Sequence, residues 1–318
     1  MVGWHLLVFV VGLAGLTYFA DRFVVGAAQV AARLQVSTVV AGALIIGFGT
    51  SAPELVVSTW AALTEGAEGT ALAMGNIVGS NMANLTLVLA IPVLVFKEVN
   101  IVEGVKRQAA LSASGVTAFA ALILFVEPSL WWGAVLLLLT GVALMAVRWL
   151  GDRFGGVPPP DITEESRPWV WTVVGLVGTV GFAWMVVWSA TSIAHDLGWT
   201  GGFVGFALVA VGTSLPELVT SLAAARRRET GLILGNLLGS NLFNSLMVGA
   251  AVFLANGARP YEPESSLPHS SLFAMVVLSW GVIYFMKTGK KIDRKEAAVL
   301  VAGYAAFVGW LASSFATV

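Results

Sequence analysis

Apolar residues run along this chain in long blocks separated by short polar breaks. Ten blocks stand out, at residues 3–20, 37–62, 70–96, 107–126, 130–149, 168–190, 201–224, 230–255, 270–287 and 296–314. A helix crosses a bilayer with about 20 such residues, so each block predicts a membrane-spanning helix. The second and seventh are long and interrupted, by Pro53 and Pro216. The first, Met1 to Ala20, has no basic residue ahead of it and no convincing cleavage site, so it reads as a retained helix rather than a secretory signal. Between the fifth and sixth blocks lies a polar stretch, Gly151 to Arg167, with the run Gly155-Gly156-Val157-Pro158-Pro159-Pro160. It reads as a tether. The prediction is an all-α polytopic membrane protein of ten helices: residues 1–150, a cytoplasmic linker at 151–167, and residues 168–318.

Composition agrees. Of 318 residues, 58% are hydrophobic and 11% charged, and mean hydropathy is +0.87. Soluble domains carry about 25% charged residues. The absence of cysteine excludes disulfides and thiolate metal sites, and nothing in a net charge of −1 points to nucleic acid. The basic residues then test the helix count. All 17 except Arg259 fall in alternate loops, on one side of a ten-helix topology. Lys and Arg concentrate in cytoplasmic loops, so both termini are expected outside the cytoplasm, in a bacterial inner or other plasma-type membrane. Arg226 to Arg228 read as part of this topogenic signal. Tryptophans near helix ends, among them Trp131, Trp149, Trp169 and Trp188, read as an interfacial belt. His5, His195 and His269 read as isolated residues near helix ends, and Asp21 and Arg22 are given no role.

The halves share two motifs. Gly49-Thr50-Ser51-Ala52-Pro53-Glu54-Leu55 recurs as Gly212-Thr213-Ser214-Leu215-Pro216-Glu217-Leu218, 163 residues later. Gly75-Asn76-Ile77-Val78-Gly79-Ser80-Asn81 recurs as Gly235-Asn236-Leu237-Leu238-Gly239-Ser240-Asn241, 160 residues later. Five helices per half is an odd number, so the second half enters from the opposite side. Inverted repeats of this kind place a transport site near the midplane, where the halves meet.

Glu54 and Glu217 lie deep in apolar helices, where a charged side chain costs about 2.5–3.5 kcal/mol on insertion scales. One such Glu is readily explained as a protonated packing residue. Two in the same context point to function. Thr50, Glu54 and Ser58 are spaced by four and share a helix face, as do Thr213, Glu217 and Ser221. Asn76, Ser80 and Asn84 form a third stripe, and Asn236, Ser240 and Asn244 a fourth. Every side chain on them offers oxygen, the donor that hard cations such as Ca²⁺ require six to eight times over. No His lies among them, which argues against zinc or copper. Pro53 and Pro216 lack an N–H, so the carbonyls of Gly49 and Gly212 lose their helical partners and are expected to face a cavity or an ion. Gly75, Gly79, Gly235 and Gly239 read as close-packing positions.

Duplicated in opposite orientation, GTSxPEL and GNxxGSNxxN resemble the repeats of sodium/calcium exchangers in the cation/calcium antiporter superfamily, most of all the small prokaryotic members. The likeness covers the whole chain. It implies a ten-helix fold with a central cluster of ion subsites, in which Glu54 and Glu217 are the main Ca²⁺ carboxylates. It further implies backbone oxygens from Thr50 and Thr213, Na⁺ subsites lined by Ser51, Ser214, Ser80 and Ser240, and a centre completed by Asn84 and Asn244. Helices 1 and 6 would slide across a fixed core. Ca²⁺ and Na⁺ would be substrates; no cofactor and no enzymatic activity are expected, and the functional unit is expected to be a monomer in the bilayer. Potassium-dependent relatives carry Asp where this chain has Asn244, which argues against K⁺ cotransport. With two carboxylates the ionised site carries −2, enough for one Ca²⁺ or two Na⁺. The 17-residue linker at 151–167 is too short to hold a large Ca²⁺-sensing domain.

Two rivals keep the same carboxylates: Ca²⁺/H⁺ antiport on the same fold, and a passive cation channel. Dependence of flux on a counter-ion separates the channel from the antiporters. An intramembrane serine protease through Ser51 or Ser214 lacks a general base.

Overall fold

A computed structural model of the chain describes residues 2–64, 66–102, 104–154, 167–196, 212–257, 269–289 and 291–316. In chain order the first half holds α1 (Val2–Arg33), α2 (Thr38–Thr50), α3 (Ala52–Thr64), α4 (Gly66–Ala83), α5 (Leu89–Phe96), strand β1 (Glu98–Asn100), α6 (Val105–Phe125) and α7 (Leu130–Phe154). The second holds α8 (Pro168–Asp196), α9 (Leu215–Arg226), α10 (Thr230–Phe243), α11 (Gly249–Asn256), α12 (His269–Thr288), strand β2 (Lys291–Asp293) and α13 (Arg294–Ala316). Among the described residues, seven helices are long and apolar enough to cross a membrane, or eight if the bent pair α2 and α3 is one span. The tenth predicted span falls within α13, while the first part of the seventh, at 201–211, lies outside the described residues, as does 155–166 of the linker.

Helices cover most of the described part of each predicted block, with two differences. First, α1 continues 13 residues beyond Ala20. Charges end a hydropathy window without ending a helix. Asp21 meets a partner from across the chain: Arg227 donates to it through both Nε and Nη2, at 2.9 and 2.7 Å. Arg22 lies over the rings of Tyr18 and Trp171. Second, β1 and β2 form a small antiparallel ribbon with Val99 opposite Ile292, both buried. It ties the loop after α5 to the loop before α13. Asp293 then caps α13: its Oδ1 accepts from Lys295 N and Glu296 N, and Glu296 Oε2 accepts from Asp293 N. This is a reciprocal capping box.

Helix α1 runs against α8 along most of its length. The contacts come in reciprocal pairs. A Cβ on Gly15 would strike the Phe182 ring, and a Cβ on Gly178 would strike Phe19. Gly12 faces Val186, and Gly175 faces the backbone of Phe23. Phe19 and Phe182 stack between them, 5.4 Å apart and 19° from parallel. Gly12, Gly15 and Phe19 recur at the 163-residue offset as Gly175, Gly178 and Phe182, an extension of the repeat that the two polar motifs did not reveal. Near one end of the pair, His5 Nδ1 lies 2.8 Å from Asp196 Oδ2, so His5 is partnered rather than isolated.

Helix α10 lies against α2 with the two backbones touching. A Cβ on Gly42 would sit 2.7 Å from the Leu232 carbonyl, and one on Gly47 2.8 Å from the Asn236 carbonyl. Gly235 and Gly239 close the contact from the other side, against Val39, Gly42 and Ala43. Their role is therefore packing, as expected. Gly75 and Gly79 meet nothing within 4 Å among the described residues.

Candidate cation site between the two Glu helices

Both Glu motifs carry a helix break at their serine. After Thr50 the axis bends by 42° into α3. The residue at the break, Ser51, has φ −83° and ψ 8°; its counterpart Ser214 has φ −87° and ψ 4°. These values lie in the sparsely populated bridge region. Proline at the second position of each following helix needs no N–H partner there. Each break therefore delivers a Glu in the first turn of a helix: Glu54 in α3 and Glu217 in α9.

The Asn motifs match in the same way. Helix α4 passes into a π-helical turn at Asn84–Val88, and α10 passes into one at Asn244–Val248. Such turns concentrate at functional sites. Here each begins on the last residue of a polar stripe. A third π-helical stretch, Gly42–Gly47, lies in α2 just ahead of Thr50.

The side chains converge. Ser80 Oγ donates to Glu54 Oε1 at 3.0 Å and lies 3.1 Å from Ser214 Oγ. Ser51 Oγ donates to Glu217 Oε1 at 3.1 Å. Asn244 Nδ2 reaches Ser80 Oγ at 3.4 Å, and Ser240 Oγ donates to the Gly47 carbonyl at 3.0 Å. Asn84 Nδ2 donates to Asn241 Oδ1 at 3.0 Å. The Thr hydroxyls contact the Asn residues of the opposite half: Thr50 with Asn236 Oδ1 at 3.3 Å, Thr213 with Asn76 Oδ1 at 3.5 Å. Asn76 Nδ2 donates to Ser58 Oγ and Asn236 Nδ2 to Ser221 Oγ, each at 3.0 Å. Thus Ser80–Ser214, Ser51–Glu217, Asn244–Ser80, Ser240–Gly47, Asn84–Asn241 and the two Thr–Asn contacts join the halves, while Ser80–Glu54, Asn76–Ser58 and Asn236–Ser221 stay within one half. Nine of the ten predicted site residues are buried, and Thr213 is half-buried.

Four oxygens of the ten predicted site residues are buried without a hydrogen-bond partner: Glu54 Oε2, Glu217 Oε2, Asn84 Oδ1 and Asn244 Oδ1. They belong to two repeat-related pairs. Buried polar atoms are nearly always satisfied, and leaving one unmet costs about 1–3 kcal/mol, more when charged. Four acceptors left unmet in one cluster are the chemistry of a cation site. Among the described residues there is no cluster of three or more His, Cys, Asp and Glu. The centre is two carboxylates surrounded by neutral oxygens.

The buried Asn81 and Asn241 contribute contacts that their place in the motif did not reveal. They lie off the i, i+4 stripes, one residue beyond Ser80 and Ser240, and nothing in their spacing marks a role.

The description "Sodium/calcium exchanger protein" belongs to the family model that matches this chain, over residues 4–149 and 167–312. CaxA of Alkalimonas amylolytica, provisionally described as an antiporter, is 33% identical over 94% of this chain and 95% of its own length. The sodium/calcium exchanger MaX1 of Methanosarcina acetivorans is 26% identical over 97% and 98%. Among solved structures, the sodium-calcium exchanger NCX_Mj soaked with zero Na⁺ and Ca²⁺ superimposes with a TM-score of 0.83 at 31% identity, covering 97% of this chain and 99% of that one.

Proposed function

The chain belongs to the sodium/calcium exchanger family, and from that premise we propose that it is a secondary active antiporter exchanging Na⁺ for Ca²⁺ by alternating access. The observation that carries this reading is the set of four orphaned oxygens on Glu54, Glu217, Asn84 and Asn244. Ca²⁺ takes oxygen ligands from carboxylates, carbonyls and amides at about 2.3–2.6 Å, and the cluster offers all three types.

In this reading Glu54 and Glu217 hold Ca²⁺ and balance its charge. Thr50 and Thr213 supply backbone oxygens. Ser51, Ser80, Ser214 and Ser240 line Na⁺ subsites, and Asn84 and Asn244 complete the centre. Two ionised carboxylates buried without a counter-ion cost several kcal/mol each. Reorientation of the empty site is thereby suppressed, and cations must ride in both directions. This is the physical basis of coupling.

The architecture that goes with this function is ten helices in two inverted repeats, 1–150 and 168–318, joined by the linker at 151–167. Support comes from the reciprocal contacts of α1 with α8, the matching breaks at Ser51 and Ser214, and the matching π turns. In this reading α1 and α8 are the helices that slide across the fixed core. The protein works as a monomer in a bacterial inner or other plasma-type membrane, and its loop charges put both termini outside the cytoplasm.

Equilibrium binding of radioactive Ca²⁺ to the purified protein tests the site. The expected result is saturable binding displaced by Na⁺ and lost in Glu217→Gln. Binding displaced by acid and indifferent to Na⁺ moves the protein to Ca²⁺/H⁺ exchange. Binding retained in Glu217→Gln contradicts the site.

A further inference from the structure

We propose that Asn241 is a positioning residue that fixes the Asn84 amide with its oxygen toward the cation. The inference rests on the reading of Asn84 as a ligand and adds what makes it one. An asparagine presents an acceptor at one end and a donor at the other, and only the acceptor end binds a cation. Something must set which end faces the ion.

The backbone carbonyl of Asn81 sets it. A carbonyl oxygen can only accept, so the Asn241 atom 3.1 Å away is its donor, Nδ2. The other end of Asn241 is then Oδ1, an acceptor. The Asn84 atom facing it at 3.0 Å must donate, and is Nδ2. Asn84 Oδ1 is thereby turned away, buried and unpartnered. Orientation is relayed from a carbonyl through two amides. Asn81, Asn84 and Asn241 are all at most 1% exposed, so water offers no competing partners.

The repeat-related relay would run from the Asn241 carbonyl through Asn81 to Asn244, and it is not made. Asn81 Nδ2 goes instead to Ser245 Oγ at 2.8 Å, where the first half carries Leu85 in place of serine. Asn244 Nδ2 turns to Ser80, a residue of the site itself. One central amide is held from outside the ion cluster, the other from within it.

The test is Ca²⁺ binding to the purified full-length protein. Asn241→Leu should raise the Ca²⁺ Kd about tenfold, the loss of about 1.4 kcal/mol. In an Asn84→Asp background both ends of residue 84 are oxygen, so there is no orientation left to hold. There Asn241→Leu should change the Kd by less than about twofold, the non-additivity expected of directly coupled residues. A purely structural role for Asn241 would weaken binding by the same factor in both backgrounds, which overturns the proposal. So does an unchanged Kd in the native background. Asn241→Ala reads the same coupling if the leucine variant does not fold. Asn84→Ala separates the two failures. If it weakens binding while Asn241→Leu does not, only the positioning role falls. If it leaves binding unchanged, Asn84 is not a ligand and the proposal falls with that reading.

Discussion

The two halves of the site share a backbone and differ in their hydrogen bonds. Ser51 and Ser214 agree within a few degrees, and π turns begin at Asn84 and Asn244. Yet Glu54 accepts from Ser80 on the Asn helix of its own half, while Glu217 accepts from Ser51 in the other half. Asn84 is held by Asn241, and Asn244 by Ser80. Main-chain geometry follows the duplicated motif, because Gly, Pro and Ser at fixed positions dictate it locally. Side-chain pairing follows the neighbours just outside the motif, such as Ser245 against Leu85, and these are not duplicated. Two carboxylates in matching motifs are therefore hydrogen-bonded differently.

Neutralising each carboxylate in turn probes that comparison hardest. Glu54→Gln and Glu217→Gln should each reduce Ca²⁺ uptake by about 100-fold or more, since breaking a buried charge site costs about 3–5 kcal/mol. Folding checked by gel filtration should be unaffected. If one variant keeps substantial uptake, the asymmetry of hydrogen bonds outweighs the symmetry of the motif. Next in size is packing at the helix crossings. Gly239→Ala drives a methyl into the Ala43 backbone, which cannot yield, whereas Gly12→Ala meets a valine methyl at 3.0 Å. Overpacking costs about 1–3 kcal/mol, and the melting temperature in detergent should fall further for Gly239→Ala. Ser245→Ala then removes the group that breaks the symmetry, leaving Asn81 Nδ2 without its hydroxyl acceptor. A loss of about 1 kcal/mol of stability is expected.

The smallest effect concerns the cap of α13. Backbone N–H donation from Glu296 and Lys295 holds the Asp293 carboxyl below its ordinary value of 3.8. A depressed carboxylate stabilises the fold above the unfolded value, and that stabilisation is lost as pH falls through the folded one. Asp293→Ala should therefore lower the melting temperature slightly at pH 7, and the difference from the native protein should shrink below pH 3.8 and vanish once the pH is below the lowered folded value. A difference that persists there would mean the cap does not act through its charge.

Much of this was legible in the sequence. Long apolar blocks located the helices, because the bilayer demands them. The duplicated motifs single out ten candidate residues, because a Glu in hydrocarbon needs a reason and repetition supplies one; the structure buries nine of them and half-buries Thr213. Pairings between distant segments were not legible. Asp21 with Arg227, and His5 with Asp196, depend on which helices lie side by side, and hydropathy says nothing of that. Hydropathy ends the first span at Ala20 because Asp21 interrupts the apolar block, whereas the chain there remains helical to Arg33 with its charge met. The Gly12, Gly15, Phe19 repeat was present in the sequence all along. Glycines and phenylalanines are common in membrane helices, and only the reciprocal contacts give the recurrence a meaning. The π turns and the direction of each amide are properties of packing.

The central claim is that Ca²⁺ crosses only in exchange for another cation through this one site. Its most direct test is radioactive Ca²⁺ uptake into proteoliposomes loaded with Na⁺, against choline-loaded and acid-loaded vesicles at clamped voltage. The account predicts uptake with internal Na⁺ and none with choline. Equal uptake in choline-loaded vesicles would contradict it, since Ca²⁺ would then be crossing without exchange.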